Sequence, residues 1–229
     1  AVDMGEADRR LTFFTRDAGV VPILAKSAWR SRKRFGGLLQ RYVLLDIVWT
    51  ESPGKMPVLS TASVSASFWT IVEEWERVRH ADHLLELAAE MFPQEGAKPR
   101  AFGMLLDGLR ALAAGEAPAK AARRVEAAFL GIGGWGPDLS GCRKCGRADG
   151  RWFRFVPSEG GALCESCAAG AGMKLSLGAV KTWRALLAGG EAARERLRVS
   201  DGIADELRDV MPCYVEYCLG KRLRSLGGA

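Results

Sequence analysis

Histidine is scarce. His80 and His83 are the only two in 229 residues. With Glu86 they sit at spacings of three on a helical stretch, but a zinc site needs at least three protein ligands, and no other helix offers an obvious third. They therefore read as a polar helix face. There is no P-loop, no G-x-G-x-x-G after a strand, no G-x-S-x-G and no H-E-x-x-H, so the common phosphate-cradling, nucleophile-elbow and metalloprotease signatures are missing. Glu73, Glu74 and Glu76 lie on a mixed helix and read as solvated. Nothing in the chain argues for catalysis, and it is not expected to be an enzyme. No stretch of about 18 uncharged apolar residues occurs, which excludes a membrane-spanning helix. No basic start runs into an apolar core, so no signal peptide is expected; Ala1 stands in place of an initiator Met, and the start reads as trimmed or incomplete. There is no internal repeat and no low-complexity tract.

What is present is a modest excess of positive charge, +6 with a pI of about 9.1. That mildly favours an anionic partner, and its distribution matters more than its sum. From Lys26 to Arg41 there are six cations (Lys26, Arg30, Arg32, Lys33, Arg34, Arg41) and no acid. Trp29, Phe35 and Tyr42 are interleaved with them. Lys and Arg neutralise phosphate while aromatics stack on bases, which is how single-strand binders work on small barrels. The competing reading is a solvated basic loop with those aromatics in the core. Trp49, Trp69, Trp75 and Trp183 fall at strand or helix spacing and read as core.

The first third reads as strands. Leu11–Thr15 and Val20–Ala25 flank a turn at Asp17-Ala18-Gly19. Tyr42–Trp49 and Pro57–Val64 flank another at Ser52–Lys55. From about residue 65 the period changes: Phe68, Ile71, Val72, Trp75 and Val78, then Leu84, Leu87, Ala88 and Met91, recur at helical spacing. Two more helices are expected, one carrying Phe102 to Leu112 and one carrying Ala121 to Ile132. After the cysteine region come helices at Ala179–Leu187 and about Ile203–Leu223, the last expected to kink or break at Pro212.

Cysteine is used in pairs. Cys142-x2-Cys145 and Cys164-x2-Cys167 are separated by eighteen residues. Each pair puts two thiolates on one tight turn, and two pairs complete a tetrahedral shell with no open position for water or substrate. One structural zinc ion is the expected occupant. A thioredoxin-like site would need a single pair in a βαβ setting, and a zinc deaminase would need H-x-E and P-C-x-x-C. An iron–sulfur cluster could use four cysteines, but the symmetric spacing favours zinc. Without a secretory signal, paired cysteines fit a reducing compartment. Cys213 and Cys218 read as buried small apolar residues.

The ordered set resembles a known family. Gly5-Glu6-Ala7-Asp8-Arg9 leads into Leu11-Thr12-x-x-Thr15, a glycine turn, Ala25-Lys26, Ser31-Arg32, Leu38-x-Gln40 and Leu44-Leu45. Leu84-Leu85-Glu86-Leu87 follows, then Cys142-x-x-Cys145-Gly146 and Gly160-Gly161-x-Leu163-Cys164-x-x-Cys167. Taken together these look like the RecO family of bacterial recombination mediators. The resemblance implies an α+β chain: an N-terminal OB-fold β-barrel at 1–64, then an α-helical domain at 65–229 carrying an inserted four-cysteine zinc module at about 138–168. It implies a cytoplasmic, nucleoid-associated protein that binds single- and double-stranded DNA and anneals complementary strands. It also implies pairing with RecR and contact with the acidic, hydrophobic tail of single-strand-binding protein, so that RecA can take over the DNA. Lys181, Arg184, Lys221, Arg222 and Arg224 are candidates for the tail. Arg143, Lys144, Arg147, Arg151 and Arg154 form a secondary basic set beside the cysteines. In the family a strand precedes the Gly5 stretch, and here only Ala1–Met4 do, so that strand is expected to be missing or the barrel to open differently. The rival reading is a zinc-ribbon protein–protein adaptor of transcription or translation machinery.

Overall fold

The fold is described from a computed structural model covering residues 1–5, 7–28, 35, 38–93, 96–188 and 199–226. Five strands come first: β1 (Val2–Met4), β2 (Asp8–Thr15), β3 (Gly19–Ala25), β4 (Val43–Ser52) and β5 (Lys55–Ser67). They pair in the order β1-β2-β3-β5-β4, with β3 and β5 parallel and the other neighbours antiparallel. That is the strand order of an OB fold. Register shifts at Leu44/Leu45, Val48/Trp49 and Thr50/Ser52 let β4 and β5 curl. The curl encloses Leu11, Ile23, Ala25, Phe35, Leu39 and Leu59. A strand does stand before the Gly5 turn: Val2, Asp3 and Met4 pair with Arg10, Arg9 and Asp8.

The helical reading of 68–78 needs correction. Trp69–Glu73 is a 3-10 turn, the chain is extended at Glu74, and only then does α1 (Trp75–Met91) begin. A 3-10 turn has three residues per turn, so residues three apart eclipse. Phe68 and Ile71 consequently share the buried edge, while Trp69 and Val72 share the exposed one, and Trp75 follows them outward. Trp69 is 61% and Trp75 72% exposed, so neither is core; Trp183 is wholly buried and Trp49 packs half-buried on the barrel.

Next come α2 (Pro99–Ala113) and α3 (Pro118–Ile132), each opened by a proline at the first turn, where its missing N–H costs nothing. α3 is the hub, buried along nearly its whole length and packed against α1 and α2 as well as helices that follow it in the chain. Gly108 lets α2 lie close to it: a Cβ there would come within 2.5 Å of Val125 Cγ2. Valine side chains are stiff, so Gly108→Val is expected to cost about 1–3 kcal/mol, read as a lower urea midpoint.

A three-stranded sheet, β7-β6-β8, follows: β6 (Trp152–Val156), β7 (Gly161–Cys164) and β8 (Met173–Ser176), with the one-turn helix α4 (Glu165–Ala168) between the last two. Phe153 and Phe155 point from β6 into the helical core. Phe155 packs 4.7 Å from the Trp183 ring and 5.0 Å from that of Tyr214. Those partners sit on α5 (Leu177–Ala188) and α6 (Asp201–Leu219).

Of the kink or break expected at Pro212, the break does not occur: α6 runs on through it. Proline cannot donate to the carbonyl four residues back, which is Arg208. That carbonyl instead accepts from Arg123 Nη1 at 2.8 Å, across from α3. Cys213 is exposed and Cys218 only partly buried, so neither is the buried residue the sequence suggested. The barrel meets the helices through Asp82 of α1, which takes Tyr42 Oη and Arg41 Nη1, each at 2.7 Å, and through Phe14 packed on Phe92 and Phe102.

Candidate metal centre and nucleic-acid interface

The four cysteines converge. Their sulfurs all lie within 4.8 Å of one another, and Cys145 Sγ is 3.7 Å from Cys164 Sγ. A tetrahedral zinc with Zn–S bonds near 2.3 Å puts its sulfurs about 3.8 Å apart, so the cluster has room and shape for one ion. The first knuckle is closed by Gly146, at φ 75°, whose N–H donates to the Cys142 carbonyl at 2.8 Å; Cys142 N–H donates to the Arg147 carbonyl at 2.8 Å. Arg143 N–H reaches the Ala162 carbonyl at 3.0 Å and so ties this knuckle to β7. The Ser166 hydroxyl and the Cys167 amide bring the Cys164 thiol down to about 6, favouring the thiolate that binds metal. The inner face of this sheet is part of the helical core, so the cysteine cluster is fastened to the domain rather than hung from it.

Of the six cations in the basic run, two can be placed. Lys26 is exposed on the turn leaving β3, where Ser27 N–H donates to Asp8 at 2.7 Å. Arg41 is exposed but engaged by Asp82. A surface pair of that kind is worth about 0–1 kcal/mol and yields readily to phosphate. Arg30, Arg32, Lys33 and Arg34 lie outside the described residues, as does Trp29. Phe35 and Tyr42 are buried, at 1% and 5%, which removes them as base-stacking platforms. Arg10 is a further exposed cation, on β2 opposite Leu24 of β3 and outside the basic run in sequence. In the secondary basic set, Arg143, Lys144 and Arg154 face Asp138, Glu159 and Glu165 at 3.7, 3.0 and 3.9 Å.

The histidines are not on a polar face. His80 is 8% and His83 2% exposed. His83 Nε2–H donates to Glu126 Oε1 at 2.6 Å, and Arg123 Nη2 reaches the same oxygen at 2.5 Å. Arg123 and Glu126 escaped notice in an alanine-rich helix. The signal was there: an acid and a base three apart, set among Ala121, Ala122, Val125, Ala127 and Ala128. Glu86 accepts the Arg224 and Ser225 amides at 2.9 and 2.8 Å, clamping the C-terminal segment onto α1.

Beside that clamp lies an open pocket of about 380 Å³. α1 supplies Arg79, His80 and His83, and α3 supplies Arg123. α6 adds Arg208, Asp209, Pro212, Cys213 and Glu216, and the C-terminal segment adds Arg222, Leu223 and Ser225. Four arginines face two carboxylates. Arg222 has no ion-pair partner among the described residues, whereas Lys221 is held by Glu90.

The family model described as "Recombination protein O N terminal" matches residues 1–68, and "Recombination protein O C terminal" matches residues 72–227. The chain belongs to the RecO family. It is 36% identical over 228 residues to DNA repair protein RecO of Anaeromyxobacter sp. (strain K), spanning 97% of this chain and 89% of that one. It is 29% identical over 228 residues to DNA repair protein RecO of Myxococcus xanthus, spanning 99% and 91%. As in the expectation from the sequence, this RecO-family chain is α+β, strands first and helices after, with a four-cysteine cluster compatible with zinc. No helix among its described residues is long and apolar enough to cross a membrane.

Proposed function

We propose that the chain is a non-enzymatic DNA repair mediator of the bacterial cytoplasm and nucleoid. It binds single- and double-stranded DNA, anneals complementary strands and, with RecR, helps RecA replace single-strand-binding protein. The observation that carries this reading is the family match along both halves of the chain. Residues 1–64 serve as the DNA-binding barrel, and 65–229 as the helical domain with its module at about 138–168. Lys26, Arg30, Arg32, Lys33, Arg34 and Arg41 track phosphates, which gives affinity without sequence choice. Annealing follows from neutralising two strands at once, because charge repulsion opposes their approach. Cys142, Cys145, Cys164 and Cys167 hold one zinc ion, which cross-links the module and leaves no open coordination position for chemistry. The arginine-rimmed pocket, with Pro212 and Leu223 as apolar wall, suits the acidic, hydrophobic tail of single-strand-binding protein. The adaptor reading has less support, because the inner face of the zinc-module sheet is packed into the core and is not free to dock.

The test is DNA binding against salt, with an annealing assay beside it. Reversing Arg32, Lys33 and Arg34 to Glu should lower single-strand affinity and reduce the log–log salt slope by about 2 or more, since each phosphate contact contributes about 0.7. Unchanged affinity and slope would move the interface elsewhere, and absence of annealing by the wild-type protein would favour the adaptor.

A further inference from the structure

His80 has an arrangement the fold does not require. Its Nδ1–H donates to the Glu76 carbonyl at 2.8 Å. A carbonyl only accepts, so this bond fixes the tautomer and leaves Nε2 unprotonated in the neutral ring. Nε2 has no protein partner among the described residues, and the ring lines the arginine pocket. His83, by contrast, is engaged at both nitrogens, by Glu126 and Ser225.

The charges around His80 come from every element packed there. On α1 they are Glu76, with Oε2 3.7 Å from Nδ1, Arg79, and His83 one turn on. α3 brings Arg123, whose charge is shared with Glu126. α6 brings Arg208, Asp209 and Glu216 as well as the Cys213 thiol, and the C-terminal segment brings Arg222. Burial pushes His80 below its ordinary value, and Arg79 and Arg123 add to that, against the opposing pull of the Glu76 carbonyl and carboxylate. These surroundings favour the neutral ring. A carboxylate brought in beside Nε2 reverses the balance, because opposite charge favours the imidazolium.

We propose that His80 is a specificity-determining residue of this pocket, and that it takes up a proton as a carboxylate ligand binds and then donates to that ligand through Nε2. This rests on the tail-binding reading above. The sign follows from linkage: a ligand that raises the pKa of a group binds more tightly as pH falls toward that group's free value. Affinity should therefore rise from pH 7.5 to pH 6.0, with net proton uptake.

The probe is a synthetic Asp-Asp-Asp-Leu-Phe peptide with a free α-carboxylate, titrated calorimetrically at both pH values in two buffers of different ionisation heat. Wild-type affinity should rise about three- to tenfold at pH 6.0. His80→Gln should lose the pH dependence and the proton uptake. Ring resonances add a readout independent of any variant's folding: with two histidines in the chain, both are assignable, and peptide should move the His80 midpoint upward. Binding that is equal at both pH values without proton uptake, or a His80 midpoint unmoved by saturating peptide, would overturn the His80 proposal and leave the pocket reading intact. No peptide binding at either pH would overturn both.

Discussion

Freshly purified, reduced protein is expected to contain one zinc ion per chain, and its removal should unfold the helical domain rather than loosen a flap. The reason is where the module's sheet faces. Phe153, Phe155, Ala162 and Leu175 belong to the same buried cluster as α1, α3, α5 and α6. Zinc sites of this type contribute about 10–16 kcal/mol of apparent binding energy in isolated fingers. Even a loss of about 5 kcal/mol would lower the midpoint of a domain this size by about 10–20 °C. Cys164→Ser should therefore bind little zinc and melt at least that much lower by circular dichroism. DNA affinity should survive in the fraction that stays folded, because the proposed phosphate contacts are on the barrel. Well under one zinc per chain in wild-type protein, or an unchanged melting midpoint in Cys164→Ser, would remove the structural-zinc reading.

Arg123→Met should be the most damaging single substitution outside the cysteines. It leaves Glu126, fully buried, without its guanidinium, and leaves the Arg208 carbonyl without a donor. Breaking one side of a buried pair costs about 3–5 kcal/mol. Pro212 gives a sharper version of the test. Alanine at 212 restores the N–H that the Arg208 carbonyl lacks, so Pro212→Ala should recover part of the loss. In urea unfolding, the two substitutions together should be less destabilising than their sum by about 1 kcal/mol, roughly one hydrogen bond. Additivity within about 0.5 kcal/mol would mean that Arg123 does not stand in for the missing amide.

Much of the chain could be read from local pattern. The strands of 8–25 and 43–67 follow from β-branched alternation between glycine turns, and three helices follow from apolar spacing. The cysteine cluster follows from chemistry that acts over a few residues: each C-x2-C is a local turn, and only one further approach had to be made for the four sulfurs to meet. The misreadings share a cause. Phe68, Ile71, Val72, Trp75 and Val78 look like one helix stripe, but the 3-10 turn over Trp69–Glu73 put Val72 outward, and the difference between three and 3.6 residues per turn is too small to see over so short a stretch. His80 and His83 look solvated because a polar residue on a helix usually is. The partners that hold His83 inside, Glu126 and Ser225, are 43 and 142 residues away.

The sequence by itself determined the order of strands and helices, the pairing of cysteines into one ligand set and the clustering of cations at 26–41, because each is set by neighbours along the chain. Only the tertiary structure decided that α6 runs through Pro212, that Phe35 and Tyr42 serve the core and not a base, and that four arginines from separate elements rim one pocket. Each of those depends on which distant group arrives to fill a hydrogen bond, exclude water or balance a charge, and that is settled when the elements pack.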